Sequence, residues 1–345
     1  MKTVRQSNIE LLRILAICGV ILLHYNGYVG NALSFIQPGT VNYWLVLTSE
    51  SLCICAVNVF LLISGYFSCT SQRTNFVKVM QLLAQVVFFQ IGIYLLNSSA
   101  NGSFSVSTLV RQALPANYFV ILYIVMYLVG PYVNVLLKNL TSKQLTRFIC
   151  LLLILLSVLP TAVDLLEKAM GKTLSGLNPV SAYGDDYGYT AINFILMYIL
   201  GAYLRLYGLP KLKGWLCALI AALCTGLILY MSLASDPGIA RSYCNPLVIT
   251  LAVSIFLLFT KLNFHSKIIN GLSQASFTVY LFHPYLLAKF RVEQAVAAGP
   301  AYLLIHMLVA CVSIFLMSWF VFMAYDLITK PIFTFLSKRI PTKEI

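Results

Sequence analysis

Ten apolar runs of roughly membrane-spanning length leave this chain few ways to fold. They fall near residues 9–28, 44–67, 76–97, 118–137, 146–165, 188–207, 213–233, 246–262, 271–289 and 302–328. About twenty apolar residues in a helix cross a hydrocarbon core about 30 Å thick. Lipid offers no partner to backbone N–H and C=O groups, so each run must be helical. The alternating pattern of a membrane barrel is absent. Only 10% of the 345 residues are charged, against about 25% in a soluble domain. The gaps near 98–117 and 166–187 are the longest, and at about twenty residues they are loops, not domains. The expected fold is therefore all-α, a polytopic integral membrane protein with about ten transmembrane helices. It forms one transmembrane domain over residues 1–345, with no separate soluble domain.

The basic residues orient the bundle. With the N-terminus inside, sixteen lysines and arginines fall on the inner side and six on the outer, with Arg13 left inside the first run. Membrane insertion produces this bias, and it places both termini in the cytoplasm. The net charge of +13 is spread over these short clusters, so it does not indicate a nucleic-acid partner. Lys2, Arg5 and the first apolar run resemble a signal peptide. A cleaved leader has no need of Arg13 or His24, so the run is read as a retained helix. Seven of the nine cysteines lie inside apolar runs, and no Cys or His spacing suits a metal. No inverted half-repeat is visible, which weighs against a transporter.

Charge inside a membrane helix costs several kcal/mol, about 2.5–3.5 on insertion scales, so polar exceptions point to function. Arg13 and His24 are eleven positions apart. They share a helix face, about 16 Å apart along the axis. The bland readings are a snorkelling Arg13 paired with Glu10, and His24 as an interfacial cap. Glu50 opens the second run and must either pair with an outer cation or line a polar cavity. Asn58 lies mid-span, and Ser64-Gly65 is a pattern of close helix packing. In Tyr280-Leu281-Phe282-His283-Pro284, His283 lies at a depth like that of His24, and Pro284 frees a backbone carbonyl. His306 reads as an interfacial residue without a role, and Asp326 as one facing water.

These residues carry a resemblance. Ile9 to Arg13 with ten residues before His24, Val57 to Phe67, Tyr123 to Pro131, Gly188 to Arg205, Tyr243 to Pro246 and Phe277 to His283 together resemble the acyltransferase 3 family of bacterial multi-pass membrane acyltransferases. Many of these O-acetylate surface carbohydrates. Two positions depart from the pattern: Tyr118 stands where a tryptophan is usual, and the loop after the second run keeps only Arg73 and Lys78 of an arginine-rich stretch.

The resemblance implies a multi-pass protein of the bacterial cytoplasmic membrane that moves an acyl group, above all acetyl, from cytoplasmic acyl-CoA to a hydroxyl of a glycan or lipid-linked sugar. Acetyl-CoA is then a co-substrate, and no cofactor is permanently bound. His24 is the expected general base, since imidazole titrates near neutrality, with His283 in reserve. Asn58, Ser64 or Tyr66 would polarise the thioester, and Arg73, Lys78 and Arg13 would hold the CoA phosphates. Glu10, Glu50 and Gly65 complete the expected binding set. A polysaccharide flippase or exporter is the alternative, and a glycan polymerase is disfavoured because its large outer loop is missing.

Overall fold

Every apolar run coincides with helix in a computed structural model that describes residues 5–180, 186–340 and 342–344. In chain order the helices are α1 (Ser7–Asn26), α2 (Val41–Cys53), α3 (Ala56–Ser68), α4 (Phe76–Asn101), α5 (Val106–Gln112), α6 (Tyr118–Asn139), α7 (Ser142–Leu153) and α8 (Leu159–Met170). They continue with α9 (Ala191–Leu206), α10 (Gly214–Ala234), α11 (Pro237–Ala240), α12 (Pro246–Thr260), α13 (Lys267–Leu272), α14 (Ser276–Leu287), α15 (Val292–Ala297) and α16 (Pro300–Arg339). Two-residue strands β1 (Arg73–Thr74) and β2 (Lys343–Glu344) pair antiparallel, with Arg73 opposite Glu344.

Among the described residues, seven helical stretches are long and apolar enough to cross a membrane: α1, α2 with α3, α4, α6, α7 with α8, α10 and α16. The remaining three runs form shorter pieces. Helices α9 and α12 have 16 and 15 residues, and a 3-10 turn at Ser273–Ala275 separates α13 from α14. These pieces bury much of their surface, α9 from Asn193 to Leu204 almost without interruption. Broken or short backbone at membrane depth is tolerated where protein surrounds it. The second run also breaks, at Ile54 and Cys55. Between α7 and α8 a π turn at Ile154–Val158 precedes Pro160, whose ring and missing N–H disrupt the regular ladder.

Helices α3 and α9 meet backbone to backbone. A Cβ on Gly65 would overlap the Tyr198 carbonyl, and one on Gly201 would overlap the Leu62 carbonyl. Small residues allow this approach, which in lipid is a main source of helix association. By contrast α4 buries only Val77, Val86, Phe89 and Ser98, leaving Phe88, Leu95 and Leu96 outward. Helix α16 runs for 40 residues, about 60 Å.

Contacts between helix ends fall into two sets. On the N-terminal side, Arg5 Nη1 donates to the Asn270 carbonyl at 3.1 Å, the Ser266 amide donates to Ser7 Oγ at 2.9 Å, and Lys261 Nζ donates to the Pro210 carbonyl at 3.2 Å. At the other end, Arg241 pairs with Glu50 at 3.1 Å, Lys168 with Asp236 at 3.4 Å, and Asn42 Nδ2 donates to the Val296 carbonyl at 3.0 Å. The two sets alternate along the chain.

Candidate active site

The C-terminal end of α1 is fixed by its own backbone first. The His24 carbonyl accepts from the Val29 and Gly30 amides at 3.0 and 2.9 Å. Gly30 rests on the Tyr25 carbonyl, where a Cβ would collide. Three consecutive side chains then reach three neighbours. His24 Nδ1 meets His283 Nε2 at 3.0 Å, the Tyr25 hydroxyl meets His306 Nδ1 at 2.7 Å, and Asn26 Nδ2 donates to Glu50 Oε2 at 2.8 Å and to Ser49 Oγ at 3.0 Å. His306, read from the sequence as having no role, thus anchors α1.

Pro284 decides the protons of the histidine pair. A residue with an N–H at 284 would donate to the Tyr280 carbonyl, four positions back; proline cannot. His283 Nδ1 lies 2.8 Å from that carbonyl and 3.1 Å from the Val279 carbonyl. Carbonyls only accept, so Nδ1 carries the proton. In the neutral ring Nε2 is then an acceptor, and it takes the N–H of His24 Nδ1. That leaves a lone pair on His24 Nε2, a base whose tautomer is fixed from behind. His283 is buried and His24 half-buried. The sequence ranked the two histidines as alternatives, whereas the fold joins them in one device.

A cavity of about 510 Å³ lies on the N-terminal side of this pair. Arg5, Arg13 and Lys78 supply cations to its walls, with Gln81 and Gln274. Ile17, Val20, Val57, Phe60, Phe119 and Phe322 make it largely apolar. Ser64 and Tyr123, whose hydroxyl oxygens are 3.5 Å apart, and Tyr280 add polar groups. Val20 is one turn before His24, and the Tyr280 ring is 6.1 Å from that of His283. The cavity therefore leads from three cations towards the histidines.

The other expected residues divide between this cavity and the framework. Arg13 lines the cavity and lies 3.8 Å from Glu10 Oε2, too far for a hydrogen bond, and that buried oxygen has no hydrogen-bond partner among the described residues. Lys78 lines it too, with Nζ 4.5 Å above the Tyr127 ring. Of the three candidates for polarising a carbonyl, only Ser64 faces the cavity. Asn58 is committed elsewhere, donating to the Tyr243 carbonyl at 2.8 Å and accepting from Asn193 at 3.2 Å. Tyr66 lies under the Arg205 guanidinium, 5.2 Å from its ring centre, and Gly65 packs on α9. Arg73 is in β1, outside the cavity lining. Of the two expectations for Glu50, the ion pair is met, with Arg241 as the cation. Arg241, Gln274 and Asn26 had no motif to mark them. Only Arg241 was foreshadowed, through the charge of Glu50.

Residues 6–324 match a family model described as an acyltransferase domain. No curated protein and no solved structure gives a significant match.

Proposed function

We propose that this chain, which belongs to the acyltransferase 3 family, moves an acetyl group from cytoplasmic acetyl-CoA to a hydroxyl of a cell-surface glycan or its lipid-linked precursor. Membership makes it an acyl-group transferase. The donor, the acceptor and the roles below are our reading, and the contact between His24 and His283 at 3.0 Å carries it. The acetyl-CoA phosphates lie against Arg5, Arg13 and Lys78, and the pantetheine arm follows the apolar cavity. Arginine suits this task because its planar fork binds phosphate oxygens in pairs. A sugar hydroxyl loses its proton to His24 Nε2 as its oxygen attacks the thioester carbonyl. Ser64 and Tyr123 are the cavity's hydroxyl donors to the developing oxyanion. As the tetrahedral intermediate collapses, the C–S bond breaks, and the His24 imidazolium returns the proton to the leaving thiolate. His283 accepts from His24 Nδ1–H throughout and so orients the base.

We place ten crossings and both termini in the cytoplasm, in the bacterial cell membrane. Reporter fusions after residue 140 should read cytoplasmic and those after residue 240 external; the reverse would sink the topology. For the reaction itself, cells with and without the gene are compared by mass spectrometry of their envelope glycans. A mass difference of one acetyl per modified sugar is expected, together with acetyl-CoA consumption by the purified protein. Altered glycan export without any acetyl difference would favour a flippase instead.

A further inference from the structure

Beyond the histidines a second polar cluster gathers around Asn26 and meets the donor cavity at Tyr280. Its members come from distant parts of the chain: Glu50 on α2, Tyr189 before α9, Arg241 and Tyr243 between α11 and α12, and Tyr280 on α14. Arg241 Nη1 pairs with Glu50 Oε1 at 3.1 Å, with the two side chains only 17% and 13% exposed. Asn26, two residues from His24, holds the other Glu50 oxygen at 2.8 Å. The Tyr189 and Tyr243 rings lie 4.8 Å apart. Tyr189 packs on Phe194, Phe194 on Phe119 and Phe119 on Tyr280, and Tyr280 adjoins His283. The cluster therefore returns to the histidine pair from both ends.

Two features separate it from a structural network. Neither the Tyr189 nor the Tyr243 hydroxyl makes a hydrogen bond with another described residue, although both rings are half-buried. The buried Asn26 Oδ1 also has no partner among the described residues. A buried polar group left unpaired costs about 1–3 kcal/mol. Asn58, Asn134 and Tyr198, buried elsewhere in the bundle, all make hydrogen bonds. Unpaired buried oxygens also occur at Asn42, Gln90, Asn193 and Asn270 among the described residues; around Asn26 one coincides with a half-buried ion pair and two phenols without a described partner.

We propose that Tyr189, Tyr243 and the Glu50–Arg241 pair form the acceptor subsite, gripping a sugar ring by neighbouring hydroxyls while His24 deprotonates another. This rests on the acyl-transfer reading. The chemistry selects the ligand. Each Glu50 oxygen keeps a second lone pair for a hydroxyl proton, the guanidinium has further N–H donors, and the phenols do both. Together they match a vicinal diol, and the tyrosine faces suit the C–H surface of a pyranose. An alcohol with one hydroxyl would leave these groups unpaired, and sites of this kind reject such analogues.

The test uses the full chain in phospholipid vesicles, with labelled acetyl-CoA and two probes, methyl β-D-glucopyranoside and cyclohexylmethanol. Tyr189→Phe, Tyr243→Phe and Glu50→Gln should each raise the KM for the glucoside about three- to tenfold, as expected for one lost hydrogen bond. In the two tyrosine variants the KM for acetyl-CoA and transfer to cyclohexylmethanol should stay unchanged. Tyr230→Phe, on the outward face of α10, should alter nothing. Equal losses with both alcohols, or an unchanged glucoside KM in all three variants, would overturn the subsite. Acetyl-CoA hydrolysis with transfer to neither alcohol would also overturn it while leaving the donor reading standing. If acetyl-CoA is not consumed at all, the acyl-transfer reading fails and the subsite with it.

Discussion

The two ends of α1 are built on opposite principles. At the Arg13 end the charge faces a cavity, and its contact with Glu10 is a loose 3.8 Å. At the His24 end three consecutive side chains are tied to α14, α16 and α2 at 2.7–3.0 Å. A group that must catch a flexible, multiply charged donor gains little from rigid placement, because Coulomb attraction falls slowly with distance. A base must meet a reacting proton within hydrogen-bond reach, and small misplacement is costly there. On the proposed reading, one helix separates donor capture from the base by about three turns.

The sharpest way to break this comparison is at the tied end. His24→Ala should lower kcat by about 10² or more, the usual worth of a general base, with little change in the KM for acetyl-CoA. His283→Ala should cost less, on the order of tenfold in kcat, because it removes the orienting partner and not the base. If the His283 variant proves the more severe of the two in a steady-state assay, the roles are exchanged. At the loose end the parameters should separate the other way. Arg13→Ala with Lys78→Ala should raise the acetyl-CoA KM about tenfold while kcat is nearly kept, the signature of uniform binding. Raising the salt concentration should then weaken donor binding by the wild type more than by the double variant. The smallest expected effect is the most selective. Pro284→Ala restores an N–H that competes for the Tyr280 carbonyl, so kcat should fall about threefold with KM unchanged. Nitrogen NMR of labelled histidine should show His283 losing its single tautomer, and a variant that retains it would remove the proline from the mechanism.

Much of the fold could be read in the sequence because lipid allows so few structures. Apolar run length located the helical segments. The breaks at Ile54, at Pro160 and before α14 were harder to see, since they depend on which helices surround them. For the site, the eleven-residue step from Arg13 to His24 is local and survives folding unchanged. His283 was visible as a costly polar group, but its contact with His24 joins residues 259 positions apart, which no spacing rule reaches. Gly65 packs as its Ser-Gly pattern suggested, and the partners of Asn58 lie too far along the chain for any spacing to show them. Both residues hold α3 against its neighbours.

The bond between the two histidines also has a date. Ribosomes add roughly 5–20 residues per second, so the 259 residues between His24 and His283 take roughly ten seconds to a minute to make. Asn58 likewise waits for Asn193, 135 residues later. Until those segments emerge, His24 and Asn58 sit in the membrane without their final partners. A chain interrupted between α1 and α14 carries the arginine and the histidine of α1, yet His24 lacks its partner ring. The histidine pair therefore forms only near the close of synthesis, when most of the bundle already stands around it.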